Sequence, residues 1–187
     1  MPNVPFWLAK QNYARLRRNA FDMVVRDAVD AGGIRVPLRL TETDEKTLEA
    51  WRATWNGPHP SGFGNWNWDR LLRRAWRRPS AFHAAVWSDD ILCGLGVGRL
   101  SKRRLTGIRH TISVHYVESA HDPGHPLRGL IAPLLITAAE AYGMLAGVSR
   151  VRLIQPLGGV IHIYEKFGYV IAWKAGQPVY CERRIST

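Results

Sequence analysis

Cysteine is scarce in this sequence. Cys93 and Cys181 are the only two cysteines among 187 residues, and both lie in apolar, strand-like sequence. Two cysteines without the spacing of metal ligands argue against a disulfide-rich scaffold and a cysteine-ligated metal site, and they are typical of buried free thiols in a reducing compartment. We therefore expect a cytoplasmic protein that binds no metal.

Long apolar runs are absent as well. No stretch approaches the roughly 18 apolar residues of a membrane-spanning helix, and residues 1–10 lack the basic start of a secretion signal. Hydrophobic residues make up 46 % of the chain and charged residues 22 %, as in folded soluble proteins. We expect no membrane span and one main domain with a substantial core.

Acidic residues are few: the chain has 15 acidic and 26 basic side chains, and its net charge is +11. Arginine dominates the basic residues. One interpretation is an anionic partner such as nucleic acid, a membrane surface or an acidic substrate. The other is the arginine preference of a GC-rich coding sequence, which has no functional meaning.

The first part of the chain reads as a helix. Apolar residues recur with a helical period from residue 5 to residue 31 and stop at Gly32-Gly33, while Arg15, Arg17 and Arg18 are predicted on the opposite side. We interpret residues 1–31 as a helical extension and residues 32–187 as the main domain. A helix that binds a membrane surface or a partner is the alternative.

Periodicity in the main domain predicts the order β-α-α-β-β-β-α-β-α-β-β. Antiparallel hairpins in its first half give way to β-α-β crossovers in its second half, which indicates a mixed α/β sheet. The strands and helices are predicted at residues 34–40, 43–55, 68–78, 81–87, 91–100, 108–118, 130–145, 151–154, 160–167, 169–173 and 179–184. Alternating glycines at 94–98 within a strand indicate a bulge or close backbone approach.

Three segments are candidates for binding. The loop 56–67 is long and aromatic enough to be functional. The helix at 68–78 combines an apolar stripe with basic residues on its other side, among them Arg70, Arg73, Arg74 and Arg77. Together with the basic tip at 102–104, this helix has two interpretations. Its basic side is either an anion-binding face or an ordinary solvated face.

Two further segments carry the chemical signal. Residues 161–170, Ile-His-Ile-Tyr-Glu-Lys-Phe-Gly-Tyr-Val, end a helix at a glycine with a tyrosine one turn earlier. Residues 125–135 form a basic, glycine-containing turn that leads into an apolar helix. Such a turn can direct N–H groups and the positive end of a helix dipole at a phosphate.

Together with the order of elements, these motifs resemble the GNAT superfamily of acyl-CoA-dependent N-acetyltransferases over residues 34–184. Tyr164-Glu165-Lys166-Phe167-Gly168-Tyr169 is similar to the family's Tyr-Glu-Lys-x-Gly-Phe signature. The Arg128-Gly129 turn is similar to its pyrophosphate loop, although Pro126, Ile131 and Leu157 stand where the family usually has other residues. The resemblance implies a mostly antiparallel sheet with splayed fourth and fifth strands, flanked by helices.

The resemblance also implies acetyl-CoA as cosubstrate and no metal. Its pyrophosphate would lie against the turn that comprises Leu127, Arg128, Gly129, Leu130, Ile131 and Ala132. The pantetheine arm would pair with the backbone near Val117. Tyr164 would protonate the departing thiolate, and the amine would lose its proton to Glu118 first, or else to His115, His121, His125 or a chain of water molecules.

The acceptor is less defined. By resemblance, Phe63 and Trp66 of the 56–67 loop would contact it, and it would be a small-molecule, peptide or aminoacyl-tRNA amine. Two other functions stay open: a protein associated with nucleic acid, and a non-catalytic GNAT-like interaction module. A homodimer is also compatible with the sequence.

Overall fold

The computed structural model describes residues 5–55, 59, 64–101 and 111–185. The elements follow the predicted order after an N-terminal helix. They are α1 (Phe6–Asp30), β1 (Arg39–Thr41), α2 (Glu45–Thr54), α3 (Trp68–Trp76), β2 (Ala81–Ser88), β3 (Ile91–Leu100), β4 (Ile112–Ser119), α4 (Ile131–Leu145), β5 (Arg150–Ile154), α5 (Ile161–Lys166), β6 (Val170–Lys174) and β7 (Gln177–Arg184).

The strands form one seven-stranded sheet in the order β1-β2-β3-β4-β5-β7-β6. All neighbours pair antiparallel except β4 and β5, which run parallel. The prediction of a mixed, mostly antiparallel sheet is therefore confirmed. The first strand is an edge strand, as Pro37 indicated, but it starts only at Arg39 and not at Ile34. Ile34, Val36 and Leu38 instead pack as irregular chain against the core.

Helices cover the two faces of the sheet unequally. One face is packed by α1 and α4, whose Phe21 and Leu135 lie in a core with Phe82 of β2. On the other face α2 and α3 cover β2 and β3, with Trp68 fully buried. The face beyond β3 on that side is left without a described helix.

Two of the arginines predicted to be free in solvent are engaged by the fold. Arg17 of α1 was expected on the solvent side but is 3 % exposed, because its guanidinium donates to the carbonyl groups of Pro79 and Ala81 and pairs with Glu42. Arg73 of α3 is exposed but already engaged, since it donates to carboxylates of α2 and of its own helix. Therefore α3 presents fewer unpaired basic side chains than the sequence suggested.

The glycines of β3 allow α4 to lie directly on the sheet. A Cβ at Gly94 would stand 2.3 Å from Ile131 Cγ2, and one at Gly96 would stand 3.1 Å from Leu135 Cδ2. The predicted close backbone approach is confirmed. It fixes the first turn of α4 over the middle of the sheet.

The parallel pair β4 and β5 separates partway along. Their pairing runs from Ile112–Val151 to Val114–Leu153 and stops there. At the same point β4 contains a bulge, because Val97 pairs with Tyr116 while the next residue of β3 pairs with Val114. His115 is the extra residue. The predicted splay of the fourth and fifth strands is thus confirmed, and it leaves the edge of β4 beyond Val114 without a strand partner.

Candidate active site

A cleft of about 470 Å³ opens where β4 and β5 separate. Six of the residues predicted for the site line it. They are Tyr164, Glu118, His115, Val117, Ala132 and Trp66. Phe63, the other residue predicted to contact the acceptor, lies outside the described residues.

Tyr164 is held by the end of α5. Gly168 adopts φ +78°, and the amide groups of Gly168 and Tyr169 donate to the carbonyl groups of Glu165 and Tyr164. This pair of bonds is the Schellman motif, which ends a helix at a glycine. The Tyr164 hydroxyl has no hydrogen-bond partner among the described residues. Burial, with a smaller effect of Cys181, raises the pKa of Tyr164 above its usual value of 10.0, so the phenol keeps its proton.

A buried polar network fixes the chain after Tyr164. The Tyr169 hydroxyl donates to Glu140 in the middle of α4, and Arg183 of β7 donates to the other oxygen of Glu140 at 2.8 Å. Arg183 also donates to the Phe167 carbonyl at 2.9 Å. This network was not predicted, although Glu140, an acidic residue within an apolar helix, was a signal for it.

Glu118 is more constrained than a free catalytic base would be. Its side chain is 2 % exposed. The carboxylate accepts hydrogen bonds from the Asn65 amide at 2.8 Å, from Trp68 Nε1 and from His121 Nε2 at 3.2 Å. Gly64 is required beside it, since a Cβ there would lie 2.4 Å from Glu118 Oε1. Glu118 therefore ties β4 to the loop that precedes α3.

His115, the bulge residue, is placed differently. Its Nε2 is buried and has no hydrogen-bond partner among the described residues. Burial, together with the charges of Arg99 and Arg74, lowers the pKa of His115 below 6.5. The imidazole is therefore neutral at physiological pH and can accept a proton from a group in the cleft.

The other two candidate histidines are bound into the loops. His121 lies between Trp55 and His59, with ring centroids 5.6 Å and 5.1 Å apart, and does not line the cleft. His125 Nε2 is 2.8 Å from the hydroxyl oxygen of Ser119. Neither imidazole is as open to the cleft as that of His115.

The turn before α4 presents amide groups, but not the set that was predicted. The amides of Arg128 and Leu130 donate to the carbonyl groups of His125 and Leu127 at 3.3 Å and 3.0 Å. The amides that donate to no described part of the chain belong to Gly129, Ile131 and Ala132. Gly129 has φ +80° and open space where a Cβ would be.

The Arg128 side chain is exposed, whereas two apolar side chains of this turn are withdrawn from the surface. Leu127 is 0 % exposed and Ile131 is 2 % exposed, because both belong to the core. Pro133 is the third residue of α4, where a missing N–H leaves no intrahelical bond unmade. The turn can therefore meet an anion with backbone groups and with the positive end of the α4 dipole.

The mouth of the cleft is aromatic and apolar. Trp66 is 40 % exposed, and its ring meets that of Tyr116 edge to face at a centroid distance of 5.0 Å. On the opposite side, Gln155 follows β5 with φ +51°, and Leu157 is 45 % exposed. Sequence analysis gave no signal for the left-handed backbone at Gln155, because glutamine rarely adopts it.

Solved structures of acetyltransferases share this fold. Ard1 from Thermoplasma volcanium aligns with a TM-score of 0.58 at 15 % identity, covering 81 % of this chain and 100 % of that one. Naa50 of Arabidopsis thaliana, in complex with the bisubstrate analogue CoA-Ac-MVNAL, aligns with a TM-score of 0.53 at 16 % identity over 79 % and 99 %. A GNAT-family acetyltransferase from Streptococcus pneumoniae aligns with a TM-score of 0.50 at 16 % identity, covering 80 % of this chain and 99 % of that one.

These likenesses show that the chain has the GNAT fold, as the sequence resemblance implied. No protein-family model matches the sequence, and no curated protein matches it either. Within residues 5–55, 59, 64–101 and 111–185, no helix is long and apolar enough to cross a membrane. In the same ranges, no three side chains of His, Cys, Asp or Glu are grouped to hold a metal ion.

Proposed function

We propose that the protein is an acyl-CoA-dependent N-acetyltransferase that transfers the acetyl group of acetyl-CoA to a primary amine. The observation that carries this proposal is the convergence of three features on one cleft. The unpaired edge of β4, Ala132 with its free amide at the start of α4, and Tyr164, whose hydroxyl has no partner among the described residues, all line it.

The residues present fit acetyl-CoA. The amides of Gly129, Ile131 and Ala132 would receive the pyrophosphate, and the open space beside Gly129 leaves room for it. The pantetheine amides would pair with the backbone of β4 near Val117, where β5 has separated. Acetyl-CoA supplies an activated thioester, and the chain supplies position and proton transfer.

Tyr164 acts as the general acid. During transfer, a bond forms between the amine nitrogen and the acetyl carbon, and the carbon–sulfur bond breaks. The departing sulfur takes the phenolic proton of Tyr164, whose raised pKa keeps that proton available at neutral pH. Tyr164 is then protonated again from solvent.

His115 acts as the proton acceptor. Its unpartnered Nε2 and lowered pKa provide a neutral imidazole in the cleft. Glu118 is a positioning residue in this proposal, because its carboxylate already accepts from Asn65, Trp68 and His121. Trp66 and Tyr116 line the side from which an amine would approach.

Calorimetry with acetyl-CoA, followed by detection of free CoA thiol in the presence of pooled primary amines, tests the proposal. We expect saturable binding and a thiol release that amines accelerate. Binding without any amine-dependent release would leave a cofactor-binding module and contradict the transferase. No binding would contradict both.

A further inference from the structure

The part of the sheet that no described helix covers carries a second, larger depression. It measures about 1100 Å³ and lies on the α2–α3 side of the sheet, away from the splay. Five arginines line it, together with Ser113 of β4 and with Ser101 and Thr111 at the strand ends, and none of its described lining residues is acidic. We name it the arginine trough; its arginines are Arg77, Arg78, Arg99, Arg150 and Arg152.

Strand pairing explains why the arginines gather here. Arg99 of β3 pairs with Ser113 of β4, which pairs with Arg152 of β5, so the three side chains form one row across the sheet. Adjacent strands lie about 4.8 Å apart, which places the two arginine backbones about 10 Å from each other. The α4 side of the same strands carries Val114 and Leu153 in the core. Polar residues therefore occupy the side on which these strands have no described helix against them.

Most of this charge is not neutralised. Arg77, Arg78 and Arg99 are exposed and pair with no carboxylate among the described residues. Arg150 and Arg152 share the single carboxylate of Glu182. Like charges in one concave surface repel each other, and a bound polyanion would relieve that repulsion.

The arginine trough continues into the cleft. Between them lies a smaller depression of about 150 Å³, which Arg78 and Arg99 share with the trough. Its other end is formed by His115 and Tyr116, which also line the cleft. Along β4 the path from Thr111 to Tyr116 covers about 16 Å at the usual rise per residue.

We propose that the arginine trough binds the phosphate backbone of a single-stranded nucleic acid, one end of which reaches the cleft. Arginine is suited to this ligand, because its planar guanidinium donates two parallel hydrogen bonds to a phosphate. The exposed Trp66 ring next to Tyr116 at the cleft end provides a surface for base stacking.

This binding does not require acetyl transfer, so the two proposals can fail separately. The test uses the full chain and a fluorescein-labelled, mixed-sequence RNA single strand, with anisotropy measured across a salt series. The variant Arg77→Gln, Arg78→Gln, Arg99→Gln removes the three unpaired charges. The control Arg15→Gln, Arg18→Gln, Arg26→Gln removes three exposed charges from α1 on the opposite side of the sheet.

We expect the wild type to bind with a log–log salt slope of about −0.7 for each phosphate contacted. The trough variant should bind at least about tenfold more weakly, and its slope should flatten by about 2 for three lost contacts. The α1 control should change affinity by less than about twofold. Urea denaturation should give the same unfolding transition in both variants as in the wild type, which shows that each is folded.

Four results would overturn the proposal. Equal losses in the trough variant and the α1 control would show that only net charge matters. Equal affinity for poly-glutamate of the same charge would show a general polyanion surface. Tighter binding of duplex RNA, or no binding of the single strand at physiological salt, would exclude a single-strand site.

Discussion

Trp68 donates a hydrogen bond from its indole Nε1 to the carboxylate of Glu118, 50 residues later in the chain. Trp68 is fully buried under the sheet, and Glu118 lies where β4 borders the cleft. The bond thus joins α3 to the cleft wall. With the Asn65 amide and His121 on the same carboxylate, it holds the loop in front of α3.

This relationship predicts the effect of removing Glu118. Glu118→Ala leaves buried donors on Asn65, Trp68 and His121 without an acceptor, at about 1–3 kcal/mol for each unsatisfied group. We expect unfolding free energy to fall by about 3 kcal/mol or more. Glu118→Gln keeps one acceptor oxygen and the volume, and should lose about 1 kcal/mol. Urea denaturation of the two variants measures both.

Turnover separates positioning from catalysis at the same residue. If Glu118 only positions the loop, Glu118→Gln should retain most of the wild-type kcat, because the remaining oxygen can still accept from the Asn65 amide and from His121. A general base could not be replaced in this way, since glutamine accepts no proton at neutral pH. A kcat reduced about 100-fold or more in Glu118→Gln would assign Glu118 as the base instead of His115.

Tyr164→Phe should lower turnover by about 100-fold or more while acetyl-CoA still binds. The hydroxyl has no hydrogen-bond partner among the described residues, so its loss should change stability little. Tyr180→Phe is the matched control, since Tyr180 lies on β7 against Arg152 and does not line the cleft. Wild-type turnover in Tyr164→Phe would reduce Tyr164 to a packing role.

Local sequence patterns predicted much of this fold. The glycine that ends α5, the amphipathic stripe of α3 and the close approach at Gly94 and Gly96 each depend on neighbours in sequence or on one facing element. The Tyr-Glu-Lys-Phe-Gly-Tyr motif is itself a helix-ending signal, because Gly168 must adopt a positive φ. Such features can be read without knowing the tertiary structure.

The contacts that complete the site could not be predicted in the same way. Glu140 and Tyr169 are separated by 29 residues, and Arg17 meets the Ala81 carbonyl over 64 residues. The bulge at His115 depends on its register with β3, which the sequence of β4 alone does not specify. The free amides of the α4 turn depend on which carbonyl groups the turn itself uses.

Gly129 provides a test of the proposed pyrophosphate position. Gly129→Glu should weaken acetyl-CoA binding by at least about 100-fold, because like charges in contact cost several kcal/mol. Gly147→Glu is the matched control: it has φ +71°, open space at its Cβ and a position just after the end of α4. Both variants lose comparable stability through the positive φ, so only the first should lose affinity. Equal affinity of the two variants for acetyl-CoA would show that the pyrophosphate does not bind at Gly129.

Stability should depend on pH through His83. This side chain is 6 % exposed in β2, and its Nδ1 accepts a hydrogen bond from the Thr43 amide at 3.2 Å. Burial, followed by the positive charges of Arg17 and Lys10, lowers the pKa of His83 from 6.5 to about 3. The neutral imidazole is thus the form that the folded protein requires.

The direction of the effect follows from proton binding. Between pH 6.5 and pH 3 the unfolded chain binds a proton at His83 and the folded chain does not, so stability rises with pH across this window. The contribution of His83 is complete above pH 6.5. It is lost at about 1.4 kcal/mol for each pH unit as the pH falls towards 3. Because of this residue alone, the free energy of unfolding measured by urea denaturation should therefore be about 2 kcal/mol higher at pH 7 than at pH 5. His83→Gln, which has no proton to gain, should reduce that difference by the same amount, and an unchanged difference would assign the acid sensitivity to other groups.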